Sequence, residues 1–149
     1  RSDDGRSLEV RRSLARHVTI QLGPVWHFSL AVTNPEKSAQ FWTRNFDLKE
    51  MGRSDEAIGL TNGATIIGFF KGTPDPDTID HLAFHLEDMR ALREALETLK
   101  KNGVDVEDPG DEIGPTSPGS PHMGLWFHDP DGYRWELSVE NGALERATP

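Results

Sequence analysis

Three side chains able to bind a divalent cation sit at matching points of three alternating segments: His27 within residues 25–32, His81 within 79–86 and Glu136 within 133–139. Alternation of apolar and polar residues is the signature of a strand with one packed face. In the first segment Phe28, Leu30 and Val32 share a face, and His27, Ser29 and Ala31 share the other. In the second, Leu82, Phe84 and Leu86 oppose His81, Ala83 and His85; in the third, Tyr133, Trp135, Leu137 and Val139 oppose Arg134, Glu136 and Ser138. All three candidate ligands therefore stand on the small, polar face. Two imidazoles and one carboxylate on one side of a metal leave its other positions open to substrate, water or oxygen, an arrangement suited to Fe(II), Mn(II), Zn(II), Ni(II) or Co(II). Proton transfer would fall to a histidine within hydrogen-bond reach of substrate. His85 shares the face of His81 and is the favoured candidate, while His122 and His128 flank the segment around Trp126. Trp126 and Arg134 are candidate substrate contacts.

The elements that must position these residues follow from local signals. Asn34-Pro35 supplies a helix cap followed by proline at the first helical position, with Trp42 and Phe46 one turn apart on the helix that follows. Short strands are expected near 47–53, 56–61 and 64–70, the last two joined through the Asn62-Gly63 turn. Residues 72–77, with two prolines and two aspartates, form a linker. Beyond it Asp88 can cap a helix whose Met89, Leu92, Leu96 and Leu99 make one buried stripe, and Asn102-Gly103 stops it. A loop rich in glycine, proline and serine covers 108–121, and two strands at 124–128 and 133–139 flank an Asp129-Pro130-Asp131-Gly132 turn. That motif reads as a turn that sets the register of Glu136 and not as a calcium loop.

Placing His27 on His81 aligns residues 28–32 with 82–86 and superposes the two helices, so the chain reads as an internal duplication. The expected architecture is α+β: an arm over residues 1–23, then one domain over 24–149 made of a βαβββ module at 24–72, a second at 78–140 and a short tail. At 149 residues two such modules are too small for separate cores and should share one interior.

Composition narrows the partners. A formal charge of -9 repels phosphate backbones and anionic lipid, which argues against nucleic acid. No apolar run is long enough for a membrane span, and no apolar segment follows the charged first residues, so a cytoplasmic protein is expected. With no cysteine, disulfides and thiolate ligands are excluded.

These features together resemble the vicinal oxygen chelate superfamily, which includes glyoxalase I, extradiol dioxygenases, fosfomycin-resistance proteins and bleomycin-binding proteins. The resemblance covers residues 25–140 and rests on the His27 strand, Phe41-Trp42 in the first helix, residues 80–84 of the second opening strand and, most specifically, residues 129–136. It implies paired βαβββ modules forming a cup-shaped mixed sheet around one divalent metal, with ligands at His27, His81 and Glu136. Because some members pair modules from different chains, it also implies a homodimer. Two positions depart from the pattern: residues 65–70 lack the second glutamate ligand of glyoxalase I, and Trp126 stands where extradiol dioxygenases carry a tyrosine. The favoured expectation is an Fe(II) extradiol-type dioxygenase acting on a small, oxygen-chelating substrate. The alternatives are a glyoxalase-type lyase or isomerase or a fosfomycin-type thiol transferase using Mn, Ni, Zn or Co, and a metal-free protein that sequesters a ligand.

Overall fold

A computed structural model of the chain describes residues 19–145. The arm expected over 1–23 lies outside the described residues as far as position 18, as does the end of the tail from 146; residues 19–23 form no regular element.

The first unit runs β1 (His27–Val32), α1 (Pro35–Asn45), β2 (Lys49–Arg53), β3 (Ala57–Thr61) and β4 (Ile66–Lys71). The second runs β5 (Leu82–His85), α2 (Met89–Lys101), β6 (Asp105–Val106), β7 (Gly114–Pro115), β8 (Met123–His128) and β9 (Arg134–Val139). They form two sheets, β1-β4-β3-β2 and β5-β9-β8-β6, in each of which the first strand lies parallel to the last and the remaining neighbours are antiparallel. The α+β class and the repeated strand-helix-strands order are those read from the sequence. Strand β7 is an addition, a two-residue pairing of Gly114 and Pro115 with β8 inside the stretch read as loop. Its brevity fits proline, which lacks the N–H needed to extend a ladder.

Both helices start where their caps place them. Asn34 Oδ1 accepts the N–H groups of Glu36 and Lys37, and Asp88 Oδ1 accepts that of Ala91. Each such cap contributes about 1 kcal/mol. The Asp129 carboxylate organises the β8–β9 turn: Oδ1 accepts the N–H groups of Asp131 and Tyr133, and Oδ2 accepts the indole N–H of Trp135 at 3.1 Å. Burial pushes this carboxyl up from its ordinary range, against the pull of those three donors. The motif is a turn, as expected.

One core serves both units. Trp42 of α1 is 1% exposed and its ring lies 4.5 Å from that of Trp135, 6.0 Å from Phe127 and 6.1 Å from Phe84, all in the second sheet. Phe28 of β1 reaches Trp135 at 5.9 Å. Removing a side chain such as Trp135 from this interior would cost about 3–5 kcal/mol. Tyr133 fastens the units and the linker together, its hydroxyl donating to Ala31 O at 2.7 Å and accepting from Asp75 N–H at 3.1 Å. The consequence for function is directional. Since the packed faces of both sheets contribute to the same interior, the polar faces that carry the candidate ligands are turned away from it.

Candidate functional site

The polar face of the second sheet gathers the most chemistry. His81 Nε2 lies 2.9 Å from Glu136 Oε2, while its Nδ1 lies 2.6 Å from Asp80 Oδ2. A carboxylate on Nδ1 orients the imidazole and turns Nε2 toward Glu136. The same hydrogen bond holds the Asp80 carboxyl below its ordinary range. Across the sheet Glu136 stands beside Ala83 on β5 and Trp126 on β8. It is 6% exposed, although it belongs to the open face. Gly124 makes this possible, because a Cβ there would come 3.0 Å from Glu136 Oε1. A cavity of about 460 Å³ opens beside the pair, lined by His81, His85, Thr116, His122, Glu136 and Ser138 among others.

The remaining candidates divide. His85 and His122 border this cavity, whereas His128 does not. His128 lies further along β8 opposite Arg134, with Nδ1 3.4 Å from Asp105 Oδ2 and Nε2 4.0 Å from Glu107 Oε2. Arg134 is committed to protein partners: Nε and Nη2 form a fork on Glu107 at 2.6 and 3.1 Å, and Nη1 is 3.7 Å from Asp80. Its guanidinium carbon stands 5.4 Å over the Trp126 ring. Arg134 thus joins Trp126, Glu107 and Asp80 into one assembly behind His81. Stacking of this kind adds about 0.5–1 kcal/mol when exposed.

His27 stands on the other sheet. Its Nε2 is 3.1 Å from Ser29 Oγ, and both face Gly68 on β4, where a Cβ would overlap Ser29 Oγ and come 3.4 Å from His27 Nε2. Among the described residues no group of three or more histidine, aspartate or glutamate side chains is arranged to hold a metal ion. The structure therefore brings His81 and Glu136 together and keeps His27 apart. The physical reason is the shared core, since two faces that point away from one interior do not enclose a common space. Sequence reasoning passed over Asp80, Glu107 and Gly124. Asp80 could have been suspected from its place next to His81, but Glu107 and Gly124 carry no local signal.

A larger cavity, about 620 Å³, opens at the start of α1, bordered by Glu36, Arg53, Asp55 and Lys71. Arg53 is paired there with Glu36 and Glu50, and none of the candidate ligands borders the space.

Two βαβββ units, with a histidine at the opening strand of each and a glutamate on the closing strand of the second, define a duplicated α+β scaffold. The chain belongs to the glyoxalase/bleomycin resistance protein/dioxygenase superfamily, whose family model matches residues 25–137. Among solved structures it is similar to a genomically encoded fosfomycin resistance protein from Listeria monocytogenes, with 21% identity, a TM-score of 0.65 and coverage of 80% of this chain and 94% of that one. It is similar also to a lactoylglutathione lyase from Agrobacterium tumefaciens, with 13% identity, a TM-score of 0.63 and coverage of 78% and 93%. A superfamily protein from Alicyclobacillus acidocaldarius gives 13% identity, a TM-score of 0.64 and coverage of 78% and 90%. At these identities the likeness concerns the fold. No curated protein sequence matches the chain. No helix among the described residues is long and apolar enough to cross a membrane.

Proposed function

We propose that the chain is a divalent-metal-dependent enzyme acting on a small substrate that presents adjacent oxygens, and that it works as a homodimer. The observation that carries this reading is the facing pair His81 Nε2 and Glu136 Oε2, 2.9 Å apart and backed by Asp80. An imidazole oriented by Asp80 and a carboxylate facing it form a fitting donor set for a borderline cation. His27 of a second copy is the third donor, because within one chain it faces elsewhere. Exposed Val25 and Trp26 beside His27, with Met51 and Phe70 on the same sheet, give that face the apolar area an interface requires.

The bound ion would supply Lewis acidity and, as iron(II), electron transfer to dioxygen. The protein would do the rest: His81 and Glu136 leave one side of the site open, and His85, on the rim of the cavity, is placed to move a proton. Extradiol-type ring cleavage is the leading chemistry, supported by the lack of an acidic residue at 65–70, which would leave the ligand count at three. The second reading, a lyase, isomerase or thiol transferase using Mn, Ni, Zn or Co, draws support from Trp126, which cannot accept a phenolic proton as a tyrosinate would.

Metal analysis of anaerobically purified protein tests the centre, and mixing tests the dimer. His27→Ala and Glu136→Ala should each lose the metal, and a mixture refolded together should recover it in part, because a heterodimer of the two holds one complete site. Retention of metal by both single variants would remove this reading. Catechol turnover that needs oxygen would select the dioxygenase; turnover of another substrate without oxygen would select the Lewis-acid chemistry.

A further inference from the structure

We propose that His122 is a substrate-binding residue, a hydrogen-bond donor locked in its Nε2–H tautomer that points an N–H at an oxygen of the chelated substrate. The inference rests on the reading of the His81–Glu136 cavity as the active site, which His122 borders.

The lock is made by backbone groups. His122 Nδ1 accepts the N–H of Asn141 at 2.9 Å. An imidazole nitrogen that accepts a hydrogen bond carries no proton, so in the neutral ring the proton resides on Nε2. Among the described residues Nε2 makes no hydrogen bond, and it is not one of the sealed polar atoms without a partner, so it remains accessible. The rest of the residue is held as firmly. Its N–H donates to Ser120 Oγ at 3.1 Å, its carbonyl accepts from Thr116 N–H at 2.9 Å, and the Thr116 and Ser120 hydroxyls lie 3.0 Å apart.

The Asn141 donor is itself built in. Asn141 adopts a left-handed conformation, φ 55°, and Ala143 N–H donates to Pro121 O at 2.9 Å, so the turn after β9 is stitched to the segment before β8. Gly142 lets this turn seat closely: a Cβ there would lie 2.6 Å from Met89 Sδ and 3.1 Å from the Met123 side chain. A ring held at Nδ1 in one tautomer is suited to donate and unsuited to shuttle protons, since protonating Nδ1 would set it against the Asn141 N–H. Among the described residues the cavity is bordered by Glu136 and Glu140 and by no lysine or arginine. The acceptor is thus a carbonyl or hydroxyl oxygen, or an oxygen whose charge a bound cation already offsets, and not a free anion.

Long-range proton–nitrogen NMR of the full-length, metal-free protein, with His122 assigned by difference against His122→Asn, reads the tautomer directly. The Nε2–H form is expected, and Gly142→Ala should admit the second tautomer. A wild-type His122 carrying its proton on Nδ1 overturns the proposal. Binding supplies the second arm: zinc-loaded protein titrated with 4-nitrocatechol, whose absorbance reports chelation. His122→Asn keeps an amide oxygen for the Asn141 N–H and removes the distal donor, and should weaken binding roughly three- to tenfold, the worth of one hydrogen bond. His122→Gln, with an N–H near the Nε2 position, should recover part of it. Equal binding by wild type and His122→Asn overturns the donor role and leaves the site reading intact. A wild-type protein that takes no metal, yet shows the Nε2–H tautomer, overturns the site reading and supports the lock.

Discussion

In the first module Gly68 stands across from Ser29, two residues beyond His27; in the second, Glu136 stands across from Ala83, two residues beyond His81. The two registers are the same, so Gly68 and Glu136 are structural counterparts. Around them the modules diverge. The second keeps a carboxylate beside its histidine and backs that histidine with Asp80, whereas the first offers only a hydroxyl, with His27 resting on Ser29. The two units share strand register and the position of the histidine, while their closing strands differ in carrying an acid or a glycine. The two halves therefore differ: one sets a carboxylate against its imidazole, the other a hydroxyl.

The strongest test of that asymmetry is to remove the carboxylate. Glu136→Gln should lower metal affinity by more than roughly a hundredfold, since loss of a direct ligand exceeds the effect of losing a supporting group. Metal content measured beside Ser29→Ala, which should retain the ion, checks it. If Glu136→Gln keeps the metal, the two halves are not different in the way described.

Crowding the His27–Ser29 contact comes next. Gly68→Ala places a methyl against Ser29 Oγ and should destabilise the fold by about 1–3 kcal/mol, as overpacking does. Urea denaturation measures this, and adding Ser29→Ala should relieve it. Absence of any effect would mean that the space in front of His27 is not defined by Gly68.

Asp80→Asn addresses the support that only His81 has. The amide can still meet Nδ1 but carries no charge, and metal affinity should fall about tenfold. A titration with a competing chelator reads the difference, and no change would make the Asp80 contact incidental.

The smallest effect concerns the long loop, which the first module lacks. The Gly110 N–H and then Lys100 Nζ hold the Glu112 carboxyl well down, from 4.5 to about 2. A carboxylate with a lowered folded-state pKa adds stability that is complete above its unfolded value and is lost as pH falls through the folded one. Thermal unfolding should therefore show a component lost between pH 4.5 and 2 that Glu112→Gln abolishes. An identical acid profile in the variant would leave this anchor without a role.

Much of this was legible beforehand in particular residues. Asn34 and Asp88 begin helices, Gly63 and Gly132 turn the chain at positive φ, and the parity of Phe28, Leu30 and Val32 against His27 and Ser29 is the observed burial pattern of β1. The same parity put Trp135 and Leu137 in the core and Glu136 on the opposite face. What escaped was every relation across the chain: Glu107 gripping Arg134, Gly124 clearing room for Glu136, and Asn141 locking His122.

The sequence by itself determined both helices, the longer strands, the repeated order and the face on which each candidate ligand stands, because caps, turns and a two-residue period are local properties of neighbouring residues. Only the tertiary structure decided that His81 and Glu136 meet while His27 looks elsewhere, and which histidine borders the cavity. Strand parity assigns a side chain to one of two faces, but the direction of that face in space depends on how two sheets share a core around Trp42 and Trp135, a packing arrangement that no local pattern encodes.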